Sequence, residues 1–133
     1  MLTIRTDQIA ALQAERDSTF VSRLAAYARR REPTLFEAWS DPELHRGTEA
    51  AWRRAEAYGM SDPLALVLFF VAMVCHAPDF DLHSDIQSIL RDPAINSDHR
   101  IHLVWLQTSP ETWAEVGRMR GRGMPLPRPD VAE

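Results

Sequence analysis

One stretch of the chain, Leu64 to Ala77 (LALVLFFVAMVCHA), carries no charge and, before His76, no polar side chain. A soluble protein places such a segment where other elements cover it on every side. The pattern therefore predicts a buried central helix over 64–77. The run from Val67 to Val71 also has strong β propensity, which leaves a buried strand as the alternative. Length favours the helix, as does Asp62-Pro63 in front, an N-cap followed by proline at the first helical position. Pro78 ends the element.

The flanking segments show the three-to-four spacing of amphipathic helices. From about Asp7 to Arg31, Ile9, Leu12, Phe20, Leu24 and Tyr27 fall on one stripe, with Asp7 as N-cap and Arg29-Arg30-Arg31 at the cation-favouring end. Pro33 closes this helix. Thr34 to Ser40 reads as one short turn that brings Leu35, Phe36 and Trp39 to the core. Asp41-Pro42 opens the next helix, whose apolar face is Leu44, Ala51, Ala55 and Tyr58 and which stops at Gly59. Gly47 inside it marks either a close helix approach or a break.

After the central helix comes a loop, Ala77 to His83. Ser84 and Gln87 fit a capping box for a short helix carrying Ile86, Ile89 and Leu90. Ile101, Val104 and Trp105 make a helical stripe from about Asp98 to Gln107, although Ile101, Leu103 and Trp105 also alternate as a strand would. Ser109-Pro110-Glu111 starts a last helix with Trp113, Val116 and Met119 inward. The expectation is an all-α, single-domain bundle of about five to six helices over residues 1–119. The remaining RGRGMPLPRPDVAE, 120–133, is rich in Arg, Pro and Gly and reads as a flexible tail.

Composition narrows the function classes. A net charge of −4 argues against a generic nucleic-acid binder, which needs a basic surplus. All fifteen basic residues are arginine, a fork that suits carboxylates on protein surfaces; codon bias explains the same fact. The single Cys75 precludes an internal disulfide. No signal-peptide core opens the chain, and a 14-residue apolar run is shorter than the about 20 residues a membrane span takes. These features predict a cytoplasmic protein without a membrane partner.

Candidate chemistry concentrates after the central helix, where His76, Asp79, Asp81, His83 and Asp85 fall within ten positions. Imidazole and carboxylate ligands suit zinc, manganese or non-haem iron. The spacing matches no metal signature, however, and aspartates beside a turn commonly serve backbone N–H groups. His99 and His102 share a helical face but make only two ligands. Cys75 and His76 are adjacent and project about 100° apart, and a thiol in an apolar run has its thiolate disfavoured, so Cys75 reads as core. With no nucleophile elbow, P-loop or dinucleotide fingerprint, the reading is of no catalytic residues, no metal and no cofactor.

Four tryptophans, Trp39, Trp52, Trp105 and Trp113, exceed what so small a core requires. Trp52 lies among Glu49, Arg53 and Glu56 on the polar side of its helix, and exposed Trp beside Arg is enriched in interface hot spots. Packing of Trp52 under a neighbouring helix is the competing reading.

The opening Leu-Thr-Ile-Arg-Thr-Asp-Gln-Ile-Ala-Ala-Leu and the phenylalanine-bearing helix with its arginine-proline break resemble small bacterial proteins associated with type VI secretion effector loci. Tyr58-Gly59, Pro78-Asp79-Phe80-Asp81, Ile89-Leu90 and Arg100-Ile101 extend the similarity over most of residues 2–106. The chain departs from that pattern at Ala77, where glycine is usual, and at Leu82-His83-Ser84. The resemblance implies an accessory protein, an adaptor or chaperone that binds an effector or spike component, or an immunity protein that binds a toxin. An acidic loop suits the second role, since residues 62–98 carry six aspartates against one arginine. Partner contacts are expected at Trp52, Arg53, Tyr58, Asp79, Phe80 and Asp81. A metal-dependent enzyme using His76, Asp79, Asp81 and His83 is the third reading.

Overall fold

The structure is a computed structural model that describes residues 6–119; the tail expected over 120–133 and the side chain of Met119 lie outside the described residues. Among the described residues the fold is all-α, an arrangement of seven helices without a strand. They are α1 (Thr6–Arg31), α2 (Pro33–Phe36), α3 (Asp41–Glu56), α4 (Pro63–Cys75), α5 (Ser84–Leu90), α6 (Ser97–Gln107) and α7 (Pro110–Met119). A 3₁₀ turn at Phe80–Leu82 joins α4 to α5. Both segments with strand-like alternatives are helical, because their apolar residues are buried by neighbours on a 3.6-residue repeat.

Short-range capping chemistry sets the boundaries. Asp62 caps α4 as the sequence implies, accepting from the Ala65 N–H at 3.3 Å. Two other caps differ from the sequence reading by one residue. Ser40, not Asp41, caps α3: its hydroxyl accepts from the Glu43 N–H while the Glu43 carboxylate accepts from the Ser40 N–H, a reciprocal capping box. His83, not Ser84, caps α5, its Nδ1 accepting from the Asp85 N–H at 3.2 Å. Asp7 sits inside the first turn of α1, which already starts at Thr6. At the end of α3, Gly59 adopts φ 86°. There the Gly59 N–H bonds the Glu56 carbonyl and the Met60 N–H bonds that of Ala55, the paired bonds of a Schellman ending.

Helix α4 packs against α1, α3 and α6. Its Ala65, Leu66, Val67, Phe69, Phe70, Ala72 and Met73 are buried. Cover is not complete. Leu64, Leu68 and Val71 are half-buried and Cys75 is exposed, and their spacing of four, three and four puts them on one stripe. Cys75 is therefore not the core residue that the apolar run suggested: helical periodicity turns it outward at the last turn. Trp105 covers part of the stripe, donating its indole N–H to the Leu68 carbonyl at 3.1 Å.

The aromatic core explains Gly47. Phe36 stacks on Phe70 with centroids 5.1 Å apart, and Trp39 meets both edge-on at 5.6 and 6.0 Å. A Cβ at Gly47 would lie 3.0 Å from both Phe70 Cζ and Trp39 Cζ3. The glycine marks a close approach, and α3 runs through it unbroken.

Helices α1 and α3 are antiparallel. Arg29 pairs with Asp41 at 3.3 Å, Arg53 with Asp17 at 2.9 Å, and Phe20 meets Trp52 at 4.9 Å. In that register α3 ends beside about residue 14 of α1. At 26 residues α1 is about 39 Å long, so its first turns extend past α3. Ile9 and Leu12, placed by their spacing on the packing stripe, are accordingly 54% and 52% exposed, and burial on α1 begins at Val21.

Candidate functional site

Two neighbouring regions hold the residues singled out in the sequence. The first is the α1–α3 face. Trp52 is half-buried, its ring tilted 57° against Phe20, and the Arg53 guanidinium lies 4.3 Å from the indole centroid. Trp52 thus packs against α1, as the competing reading has it, while remaining partly exposed beside Arg53. The Arg53 guanidinium, with the Gln13 amide, holds the Asp17 carboxyl below the usual carboxylate range. Arg53 also has Glu49 at 3.9 Å and Glu56 at 4.0 Å, a network in water that fixes its position more than it stabilises the fold.

Phe20 is shared by two shallow concavities on this face. One, of about 510 Å³, is lined by Arg16, Asp17, Trp52, Glu56 and Met60. The other, of about 400 Å³, is lined by Leu12, Glu15, Arg16, Thr19 and Arg23. The result is a run of accessible surface from Leu12 through Phe20 to Trp52, rimmed by both signs of charge.

The second region is the end of α3. Arg54 and Tyr58 are four apart and share a face, and both reach Asp81 in the 3₁₀ turn. Arg54 Nε donates to Asp81 Oδ1 at 2.7 Å and the Tyr58 hydroxyl donates to Oδ2 at 2.7 Å. Burial pushes the Tyr58 phenol up to about 12, and its bond to the Asp81 carboxylate acts in the same direction. Asp79, Phe80 and Asp81 are only 3%, 0% and 2% exposed. They were expected on an accessible loop and face inward instead, because Phe80 packs on Phe69 at 4.8 Å and Asp81 is held by Arg54 and Tyr58. Asp79 Oδ1 is buried without a hydrogen-bond partner among the described residues. Arg54 was missed in the sequence; its i,i+4 relation to Tyr58 was the available signal.

The four residues of the metal reading have separate surroundings. His76 stacks on Trp113 with centroids 3.8 Å apart and lies 5.5 Å from Trp105. Asp81 faces Arg54. His83 Nε2 meets Glu115 Oε2 at 2.7 Å; since Nδ1 accepts at the α5 cap, Nε2 is the nitrogen that donates. Among the described residues no group of three or more His, Cys, Asp or Glu side chains is arranged to hold a metal ion. The His99 and His102 rings lie 5.5 Å apart on α6. No helix among the described residues is long and apolar enough to cross a membrane.

No known protein family, curated protein or solved structure matches the chain.

Proposed function

We propose that the protein is a non-catalytic protein-binding module, an adaptor or chaperone for a secreted bacterial effector or spike component, working in the cytoplasm. The observation that carries the reading is the α1 overhang with Ile9 and Leu12 exposed, in which Leu12 joins through Phe20 to Trp52 and its neighbour Arg53 on α3. Exposed aliphatic positions beside a half-buried Trp under Arg combine an apolar centre with a charged rim, the composition of protein interfaces. The resemblance to proteins of type VI secretion effector loci supports the choice of partner. Of the expected contacts, Trp52 and Arg53 stay central to this reading. Tyr58 and Asp81 instead hold the 3₁₀ turn against α3, Phe80 packs on α4 through Phe69, and Asp79 is buried.

The immunity reading drew on an acidic loop able to mask a basic toxin site. Asp79 and Asp81 are buried, and Asp62 and Asp98 are engaged with backbone N–H groups, which removes most of that support.

Co-expression with the product of the adjacent gene tests the proposal. The wild-type chain should co-purify with it, and Leu12→Asp and Trp52→Ala should abolish co-purification while retaining wild-type helical circular dichroism. Co-purification unaffected by either change removes the α1–α3 face from the reading. Survival conferred against the neighbouring toxin would favour immunity over delivery.

A further inference from the structure

The end of α3 also carries a feature that the protein-binding reading does not use. Arg54, Arg91 and Arg100 line one open concavity of about 320 Å³ together with Tyr58 and Asp81. Three guanidinium groups against a single carboxylate leave a surplus of two positive charges, on a chain whose net charge is −4.

The three arginines are held in different ways. Arg100 is anchored from below: Nε donates to the Ile95 carbonyl at 3.0 Å, and Nη1 to those of Leu90 at 3.0 Å and Tyr58 at 3.4 Å. Arg54 is anchored through Nε on Asp81. Among the described residues, Nη2 of Arg100 and both terminal nitrogens of Arg54 have no hydrogen-bond acceptor. Arg91 is exposed, lies 5.9 Å from the Tyr58 ring centroid, and makes no ion pair among the described residues. One fixed fork (Arg54), one fixed terminal nitrogen (Arg100 Nη2) and one movable fork (Arg91) thus surround a pocket whose only carboxylate is already occupied by Arg54 and Tyr58.

We infer that this concavity binds a phosphoryl dianion. The charge surplus of two matches a phosphate monoester, which is close to doubly charged near neutral pH, better than a single carboxylate. Guanidinium forks suit phosphate oxygens bidentately. Ala57 and the half-buried Tyr58 ring supply an apolar wall for the carbon body attached to the phosphate. The site is separate from the Leu12–Trp52 face, so either assignment stands or falls without the other.

The experiment is a titration of the full chain with inorganic phosphate, followed by backbone amide NMR shifts at ionic strength held constant with chloride. Saturable shifts centred on Ala57, Tyr58, Leu90 and Arg91 are expected. Arg91→Glu, at an exposed position whose side chain makes no hydrogen bond among the described residues, should keep the helical circular dichroism and weaken binding roughly tenfold or more by reversing one of three charges. Arg91→Lys should fall between. Phosphoserine binding more tightly than inorganic phosphate identifies a phosphorylated side chain as the source; equal binding identifies free phosphate. Non-saturating shifts, acetate binding as tightly as phosphate, or unchanged affinity in Arg91→Glu would each overturn the assignment.

Discussion

Tyr58 donates its hydroxyl to Asp81 Oδ2 at 2.7 Å across 23 positions of sequence, while Arg54 takes the other carboxylate oxygen at the same distance. One turn of α3 thereby grips the 3₁₀ turn that follows α4, and Asp81 is buried and paired. Removing one partner of such a group costs far more than removing both, because an unpaired buried carboxylate remains. Arg54→Ala should therefore destabilise by about 3 kcal/mol, and Tyr58→Phe by about 1.5 kcal/mol. Arg54→Ala with Asp81→Asn should lose less than the two single changes together. Urea denaturation of the four proteins in the Arg54–Asp81 cycle measures the coupling, and strict additivity would dismantle the clamp.

Tyr58 gives this clamp an alkaline signature. Its phenol is raised from the ordinary value of about 10 to about 12 by burial first and by the Asp81 carboxylate second. A raised folded-state value favours the neutral form in the native protein. The associated stability is complete below about pH 10 and is lost as pH climbs toward 12. Ultraviolet titration should show a late tyrosinate step that disappears in Tyr58→Phe. A Tyr58→Phe difference spectrum centred at the ordinary phenol value would contradict the buried hydrogen bond.

Gly47 sets two principles against each other. Alanine gains about 1 kcal/mol of helix propensity over glycine in a helix interior. The added Cβ would meet two rings, Phe70 and Trp39, at 3.0 Å, and overpacking of a core costs about 1–3 kcal/mol. Both rings are confined by Phe36, so little relief is available. Gly47→Ala should lower the thermal midpoint and alter the near-ultraviolet circular dichroism of the aromatic cluster. A stabilised variant would mean that the rings yield freely.

Much of the helical order is written locally. Asp62-Pro63, the Gly59 stop and the three-to-four spacing are properties of a few consecutive residues, and each survives in the structure within a residue or two. What the chain hides is contact between distant elements. Whether Asp81 is a surface acid or a buried one depends on Arg54, 27 positions away, and nothing near Asp81 announces it. Ile9 and Leu12 obey the same periodicity as Leu24; only the antiparallel register of α3, and where α3 stops, leaves them uncovered. Trp52 was recognisable as unusual because it stands among charges, but its partner Phe20 belongs to another helix.

The exposed Cys75 provides a direct check on the open stripe of α4. A thiol sealed in the core reacts only when the protein unfolds, whereas one at an exposed helix end reacts in the native state. Alkylation by iodoacetamide without denaturant should go to completion with the circular dichroism unchanged. Protection that lifts only in urea would mean that the stripe is covered.

Asp98 ties the start of α6 to the linker before α4, accepting from the Ser61 N–H at 2.7 Å and the Asp62 N–H at 2.9 Å. Those bonds, led by the one from Asp62, hold its carboxyl below the usual carboxylate range. A depressed folded-state value contributes stability that is present above about pH 4 and lost as pH falls through the folded value. Asp98→Ala should cost about 1 kcal/mol at neutral pH by leaving two N–H groups to water. The same change should also flatten the acid limb of the stability curve, since the group that binds the extra proton is gone. Stability profiles of the two proteins that run parallel from neutral to acid pH would show that another carboxylate drives the acid loss.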